Sequence, residues 1–234
     1  MSVCREVVTC VLACAVLACG GERKGVPAVQ DSAAVSTNTP SSPGKSVAAA
    51  PRRAILFLGT SLTAGLGLEP DSAYPQQVQR RIDAAGLPYQ ALNAGVSGET
   101  SAGLLRRLDW VLQDSAAEIV VETGANDGLR GQSVEATKVT IGDILTRIGK
   151  ERPEARVVLV QMEAPTNLGT VYTRAFHAMF PALAAEHRVT LMPFLLTGVA
   201  GVAALNQGDG VHPNLAGERF VTETVWRTLS PLLR

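Results

Sequence analysis

Cysteine is absent from residue 20 onward: Cys4, Cys10, Cys14 and Cys19 account for all four in the chain. The body of the protein therefore has no disulfide framework, no thiol nucleophile and no cysteine metal site. Histidine is scarce, and His177, His187 and His212 include no pair at the spacing of a zinc site. Aromatic residues make up 4%, too few for a base-stacking surface, and 21 basic residues balance 21 acidic ones. With no long basic run either, the sequence argues against nucleic acid as a partner. No internal repeat is present.

One apolar run stands out, at the amino end. Residues 7–17 carry no charge and follow Arg5, a segment too short for a stable membrane span but suited to a signal-peptide core. Val16-Leu17-Ala18-Cys19-Gly20 then has the form of a lipoprotein cleavage box, with a small residue directly before the cysteine. Val16 stands where leucine is commonest, and Glu6 dilutes the positive lead-in. Cys14 is a rival site that would leave a shorter apolar core. Residues 1–19 are thus read as a lipoprotein-type signal with Cys19 as the lipidated first mature residue; a plain secretory signal is the second reading. Residues 20–51 are rich in Gly, Ser, Pro, Ala and Thr and poor in large apolar side chains. Such a stretch buries too little surface to offset its chain entropy, as a tether would.

From residue 52 to 234, strand-like and helix-like stretches alternate. The predicted strands are residues 54–58, 89–92, 119–122, 157–161 and 189–192. The predicted helices are 74–85, 101–112, 134–150, 172–186 and 216–233, the fourth interrupted or kinked near Pro181 because proline lacks a backbone donor. In the third of these, Val139, Ile141, Ile144, Leu145 and Ile148 form the apolar face. Strict alternation predicts an α/β fold: a doubly wound, three-layer α/β/α domain around a five-stranded parallel sheet. If the strand order is the flavodoxin-like 2-1-3-4-5, the ends of the first three strands are neighbours at the switch point where such sheets bind ligands. Ser61, Gly98 and Asn126 then share one crevice.

Four residues carry chemistry in combination, three after strand ends and one in the polar loop between the fifth strand and the last helix. Ser61 follows the first strand in Gly59-Thr60-Ser61-Leu62 and is the candidate nucleophile. His212, in Asp209-Gly210-Val211-His212-Pro213, is the candidate base, with a carboxylate three residues earlier to fix its tautomer. Gly98 and Asn126 can supply a backbone amide and a side-chain amide to a developing oxyanion. Each alone has an ordinary turn or surface reading; so do His177 and His187, which sit on a predicted helix.

Together these blocks resemble the SGNH, or GDSL-type, hydrolases, a family marked by Ser, Gly, Asn and His in that order. They match here at Ser61, at Gly98 in Asn-Ala-Gly-Val-Ser-Gly-Glu-Thr, at Asn126 in Gly-Ala-Asn-Asp, and at His212 in Asp-Gly-Val-His-Pro. The run from Thr123 to Gly131 looks most like the bacterial arylesterase, thioesterase and lysophospholipase subgroup. The resemblance implies a triad of Ser61, Asp209 and His212, with an oxyanion hole from Ser61 N–H, Gly98 N–H and Asn126. It also implies hydrolysis of carboxylic esters or thioesters through an acyl-enzyme, without a cofactor. Carbohydrate acetyl esterase is the nearest alternative; a tethered binding protein without turnover is the rival from another class. The loop at residues 163–171 is the expected border of the acyl groove. Thr60 departs from the pattern, standing where the family's name-giving aspartate usually is. The sequence thus describes an exported enzyme, lipid-anchored on the periplasmic side of a bacterial membrane, acting on a small acyl ester or thioester.

Overall fold

The apolar runs read as strands pair into one parallel sheet in the computed structural model, which describes residues 51–234. The signal segment, Cys19 and all but the last residue of the tether lie outside the described residues. The strands are β1 (Arg53–Gly59), β2 (Tyr89–Gly95), β3 (Glu118–Val121), β4 (Arg156–Val160) and β5 (Thr190–Met192), in the order β2-β1-β3-β4-β5. That is the flavodoxin-like order, under which the ends of the first three strands are neighbours. The helices are α1 (Ser61–Ala64), α2 (Tyr74–Ala84), α3 (Ser101–Val111), α4 (Ala125–Leu129), α5 (Val134–Glu151), α6 (Thr170–His187) and α7 (Leu215–Leu229). In one group α5 packs against α3 and α6, and in the other α2 packs against α7. The chain is therefore layered as α/β/α.

Burial explains why the strands read as unbroken apolar runs and not as alternating ones. Ile55, Phe57, Leu58, Ile119, Val120, Val121, Val158, Leu159 and Val160 are all fully buried, as central strands of a sheet covered on both sides must be. Register matters for function. Gly59 pairs with Gly95, and Leu58 with Val121, so β1, β2 and β3 end at the same level. The segments that leave those three ends share one edge of the sheet.

Several expectations shift. Strand β2 runs three residues beyond its predicted end, to Gly95, while α7 stops at Leu229 instead of reaching residue 233. Helix α6 is not interrupted: it continues as one element from Thr170 through Pro181 to His187. Its buried face of Phe176, Met179, Phe180 and Leu183 holds the helix on both sides of the lost hydrogen bond. Val139 belongs to no core face, being 64% exposed on α5, whereas Ile141, Ile144, Leu145 and Ile148 are buried. The short helices α1 and α4 were not predicted. At four and five residues they are too short to show a helical period.

Candidate active site

Strand β1 stops at Gly59, and the chain turns at once into α1, whose first residue is Ser61. The turn is crowded. A side chain at Gly59 would run into Thr63 and the Glu122 carboxylate, and one at Gly95 would meet the backbone of Ala64 at 2.3 Å. Glycine is required on both strands for α1 to lie this close. As the first residue of α1, Ser61 has a backbone N–H with no partner inside the helix, and the residue is buried at the cavity wall.

The opposite side of the site comes from the segment between β5 and α7. Asp209 Oδ1 accepts from Val211 N–H at 2.9 Å and His212 N–H at 3.0 Å, a local turn that curls residues 209–212 onto the carboxylate. The other oxygen, Oδ2, lies 2.7 Å from His212 Nδ1. These contacts, led by the His212 backbone amide, hold the Asp209 carboxyl far below the usual range. With a carboxylate at Nδ1, the proton of a neutral imidazole belongs on that nitrogen. Nε2 is then an acceptor, and it lies 2.8 Å from Ser61 Oγ. Gln207 braces the loop: its backbone N–H donates to His212 O at 2.7 Å, and its side chain donates to Leu66 O and Pro213 O. The histidine loop is thereby tied to the segment just after Ser61.

Gly98 and Asn126 line the same cavity as Ser61 and His212, at the ends of β2 and β3. Gly98 has φ +77°, a conformation glycine adopts without strain, and its carbonyl accepts from Arg130 Nη2 at 3.0 Å. Asn126 donates one Nδ2 hydrogen to Glu99 O at 3.0 Å, which leaves the second for a ligand. Asp127 beside it is buried and accepts from Ser101 N–H at 2.8 Å and Ser101 Oγ at 2.6 Å, pinning the start of α3 to α4. The Glu99 carboxylate meets Arg107 Nη2 at 2.7 Å, and Arg107 also donates to Ala94 O. The loop carrying Gly98 is therefore held at both ends.

Three of these supports went unnoticed in the sequence: Asp127 with Ser101, Glu99 with Arg107, and Glu122. Only Glu122 carried a signal, as a carboxylate ending an otherwise apolar central strand. It accepts from Thr60 N–H at 2.7 Å, Thr60 Oγ1 at 2.9 Å and Thr63 Oγ1 at 2.9 Å. Of the remaining histidines, His177 lies on α6, with Nδ1 2.6 Å from Glu163 Oε1, and His187 ends that helix.

The cavity measures about 760 Å³. Residues 163–167 border it, as expected of that loop, but they bring Ala164, Pro165, Thr166 and Asn167 rather than bulk. The large apolar side chains come from elsewhere: Leu66, Leu129, Met162, Phe194 and Leu196. They are scattered over 131 positions of sequence, which is why no single stretch announces this cavity.

Residues 57–220 match the GDSL-like lipase/acylhydrolase family model. Esterase TesA of Pseudomonas aeruginosa is 38% identical over 180 residues, covering 76% of this chain and 89% of that protein. A crystal structure of TesA aligns with a TM-score of 0.74 over 77% of this chain and all of that one. The thioesterase 1/protease 1/lysophospholipase L1 of Escherichia coli is 34% identical over 76% of this chain and 84% of its own length. The psychrotrophic esterase EstA from Pseudoalteromonas sp., solved in a form inhibited by monoethylphosphonate, aligns with a TM-score of 0.73 at 31% identity. That match covers 77% of this chain and 98% of EstA.

Proposed function

Since this chain belongs to the GDSL-like lipase/acylhydrolase family and is an ester or thioester hydrolase, we propose that it works through a serine acyl-enzyme on substrates with a medium-length acyl chain. Ser61 Oγ attacks the acyl carbonyl while His212 Nε2 takes its proton; the imidazolium then protonates the departing alkoxide or thiolate. Water attacks the acyl-enzyme in the second half, with the same nitrogen as base. Asp209 keeps the proton on Nδ1 and stabilises the imidazolium. Ser61 N–H, Gly98 N–H and the free Asn126 Nδ2 hydrogen receive the oxyanion.

The observation that carries this reading is the relay Asp209–His212–Ser61, at 2.7 Å and 2.8 Å, opening onto a largely apolar cavity. The apolar wall favours a hydrocarbon chain over a sugar ring, whose hydroxyls need polar partners. The test is a series of p-nitrophenyl esters of increasing chain length, with an acetylated sugar and an acyl thioester. A maximum of kcat/KM at medium chain length, abolished in folded Ser61→Ala, is the expected result. Retention of most activity in that variant would overturn the mechanism; a preference for the acetylated sugar would overturn the substrate class.

The proposal extends to location. The apolar residues 7–17 and the Ala18-Cys19 junction support export and lipidation at Cys19, which would hold the enzyme on the periplasmic side of a membrane. Fatty-acid labelling that disappears in Cys19→Ala is expected, and labelling that persists there would refute the anchor.

A further inference from the structure

The buried carboxylate beneath the nucleophile turn is not used by the steps above. Glu122 follows β3 directly and is fully buried. A buried anion ordinarily needs a cation or a full set of donors. None of the salt bridges among the described residues involves Glu122; hydrogen bonds surround it instead. The donors come from the turn that carries Ser61: the backbone amide and hydroxyl of Thr60, and the hydroxyl of Thr63. Thr63 Oγ1 in turn lies 2.7 Å from the hydroxyl of fully buried Tyr74 on α2. With Thr63 donating to Glu122, Tyr74 donates to Thr63, and the chain of donors ends on the carboxylate.

We propose that Glu122 is the positioning residue of the nucleophile, its carboxylate gathering Thr60 and Thr63 so that Ser61 is presented to His212 in one register. The inference rests on the serine mechanism proposed above. Thr60 and Thr63 flank Ser61 and Leu62, so two points on either side of the nucleophile are bound to one rigid acceptor. Glu122 N–H also donates to Leu58 O at 2.8 Å, which joins that acceptor to β1. Ser61 Oγ must stay within hydrogen-bonding reach of Nε2 while its own N–H faces the oxyanion. A turn free to rock would lose both alignments together. Threonine at position 60 also becomes intelligible. An ionised aspartate there could only accept, whereas the threonine hydroxyl donates to the buried anion. Burial pushes the Glu122 carboxyl up to about 7, while the amide and hydroxyl of Thr60 draw it down. The ionised form is thus available at and above neutral pH.

A residue that only supports the fold would lower stability and leave the kinetics of the folded fraction unchanged. A positioning residue lowers kcat and spares KM. Glu122→Gln keeps the shape but has one acceptor oxygen instead of two; in folded protein its kcat should fall by about 10- to 100-fold with KM within about twofold, the scale of a small misplacement of reacting groups. Thr60→Val removes one hydroxyl at constant shape and should cost about tenfold in kcat, whereas Thr60→Ser, which keeps the donor, should return to within about threefold of wild type. The double variant Thr60→Val with Glu122→Gln should be no slower than Glu122→Gln alone, because both changes break the same contact. Wild-type kcat in Thr60→Val, or equal loss in the valine and serine variants, would overturn the proposal. So would additive losses in the double variant. If Glu122→Gln fails to fold, the valine and serine pair decides the matter. Ser61→Ala, assayed alongside, separates the two readings. An inactive Ser61→Ala with a fully active Glu122→Gln refutes only the positioning role, whereas an active Ser61→Ala removes the mechanism on which it rests.

Discussion

His212 faces two partners with opposite demands, a carboxylate at one ring nitrogen and a hydroxyl at the other. In the mechanism proposed above, Asp209 holds a proton on the first and Ser61 gives one up to the second. The roles differ in what their loss removes. Asp209→Asn leaves a neutral side chain that can donate to Nδ1 and so favours the wrong tautomer; kcat should fall by about 10³-fold or more, with KM little changed. Asn126→Ala takes away one proposed oxyanion donor while backbone amides remain, which should cost about 10²–10³ in kcat, or about 3–4 kcal/mol. Steady-state kinetics across an ester series measures both, with circular dichroism to show that each variant is folded. Equal rates for Asn126→Ala and wild type would remove Asn126 from the oxyanion hole.

The elements matter for how closely they approach. Helix α1 rests against the ends of β1 and β2, and the contact leaves no room for a methyl group on Gly95. Gly95→Ala would place its Cβ 2.3 Å from the Ala64 amide nitrogen, a backbone atom that can move only if α1 moves. Overpacking of this kind costs about 1–3 kcal/mol. Here it should also displace Ser61, so the variant should lose kcat out of proportion to its drop in melting temperature. Gly86→Ala is the contrasting control. Gly86 has a left-handed backbone, φ +65°, that disfavours a side chain, but nothing lies within 4 Å of its added Cβ. Its substitution should affect stability alone.

Taken as a whole, the molecule keeps acidic groups in its interior that prefer to hold their protons. Burial pushes the Glu218 carboxyl on α7 up to about 8, against one hydrogen bond from the Tyr74 amide, and pushes Glu122 up to about 7. Both folded-state values lie above those of the unfolded chain, so the native protein binds protons that the unfolded chain releases. Their contribution to stability is complete below the ordinary glutamate range, near 4.3, and is lost as pH rises through about 7 and then about 8. Melting temperature should therefore decline from pH 5 to pH 9. Glu218→Gln imitates the protonated acid, one of whose oxygens has no partner, and should flatten that decline. A slope unchanged in the variant would show that Glu218 does not stay protonated in the fold. No helix among the described residues is long and apolar enough to cross a membrane.

How much of this was legible beforehand follows from where each signal resides. Strands buried on both faces must be apolar throughout, so β1, β3 and β4 could be read directly, and alternation with amphipathic helices implied the parallel sheet. The serine, glycine, asparagine and histidine blocks were legible for a different reason: each is a short local segment, three of them just after strand ends and the histidine block just before α7, encoded by adjacent residues. Asp209 and His212 belong to this class, since three residues of chain suffice to bring carboxylate to imidazole. Val139 and Pro181 misled because periodicity and missing donors are local facts, while exposure and compensation depend on what packs against the helix. The cavity beside Ser61 and the contacts of Glu122 were hidden more deeply. Met162, Phe194 and Leu129 become one wall, and Thr60 reaches Glu122 across 62 residues, only once the sheet has set strand order and register. The sequence by itself determined the chemistry available and the elements that carry it. Tertiary structure alone decided which of those groups meet, because contact across β1, β2 and β3 depends on their pairing and no single stretch of chain encodes it.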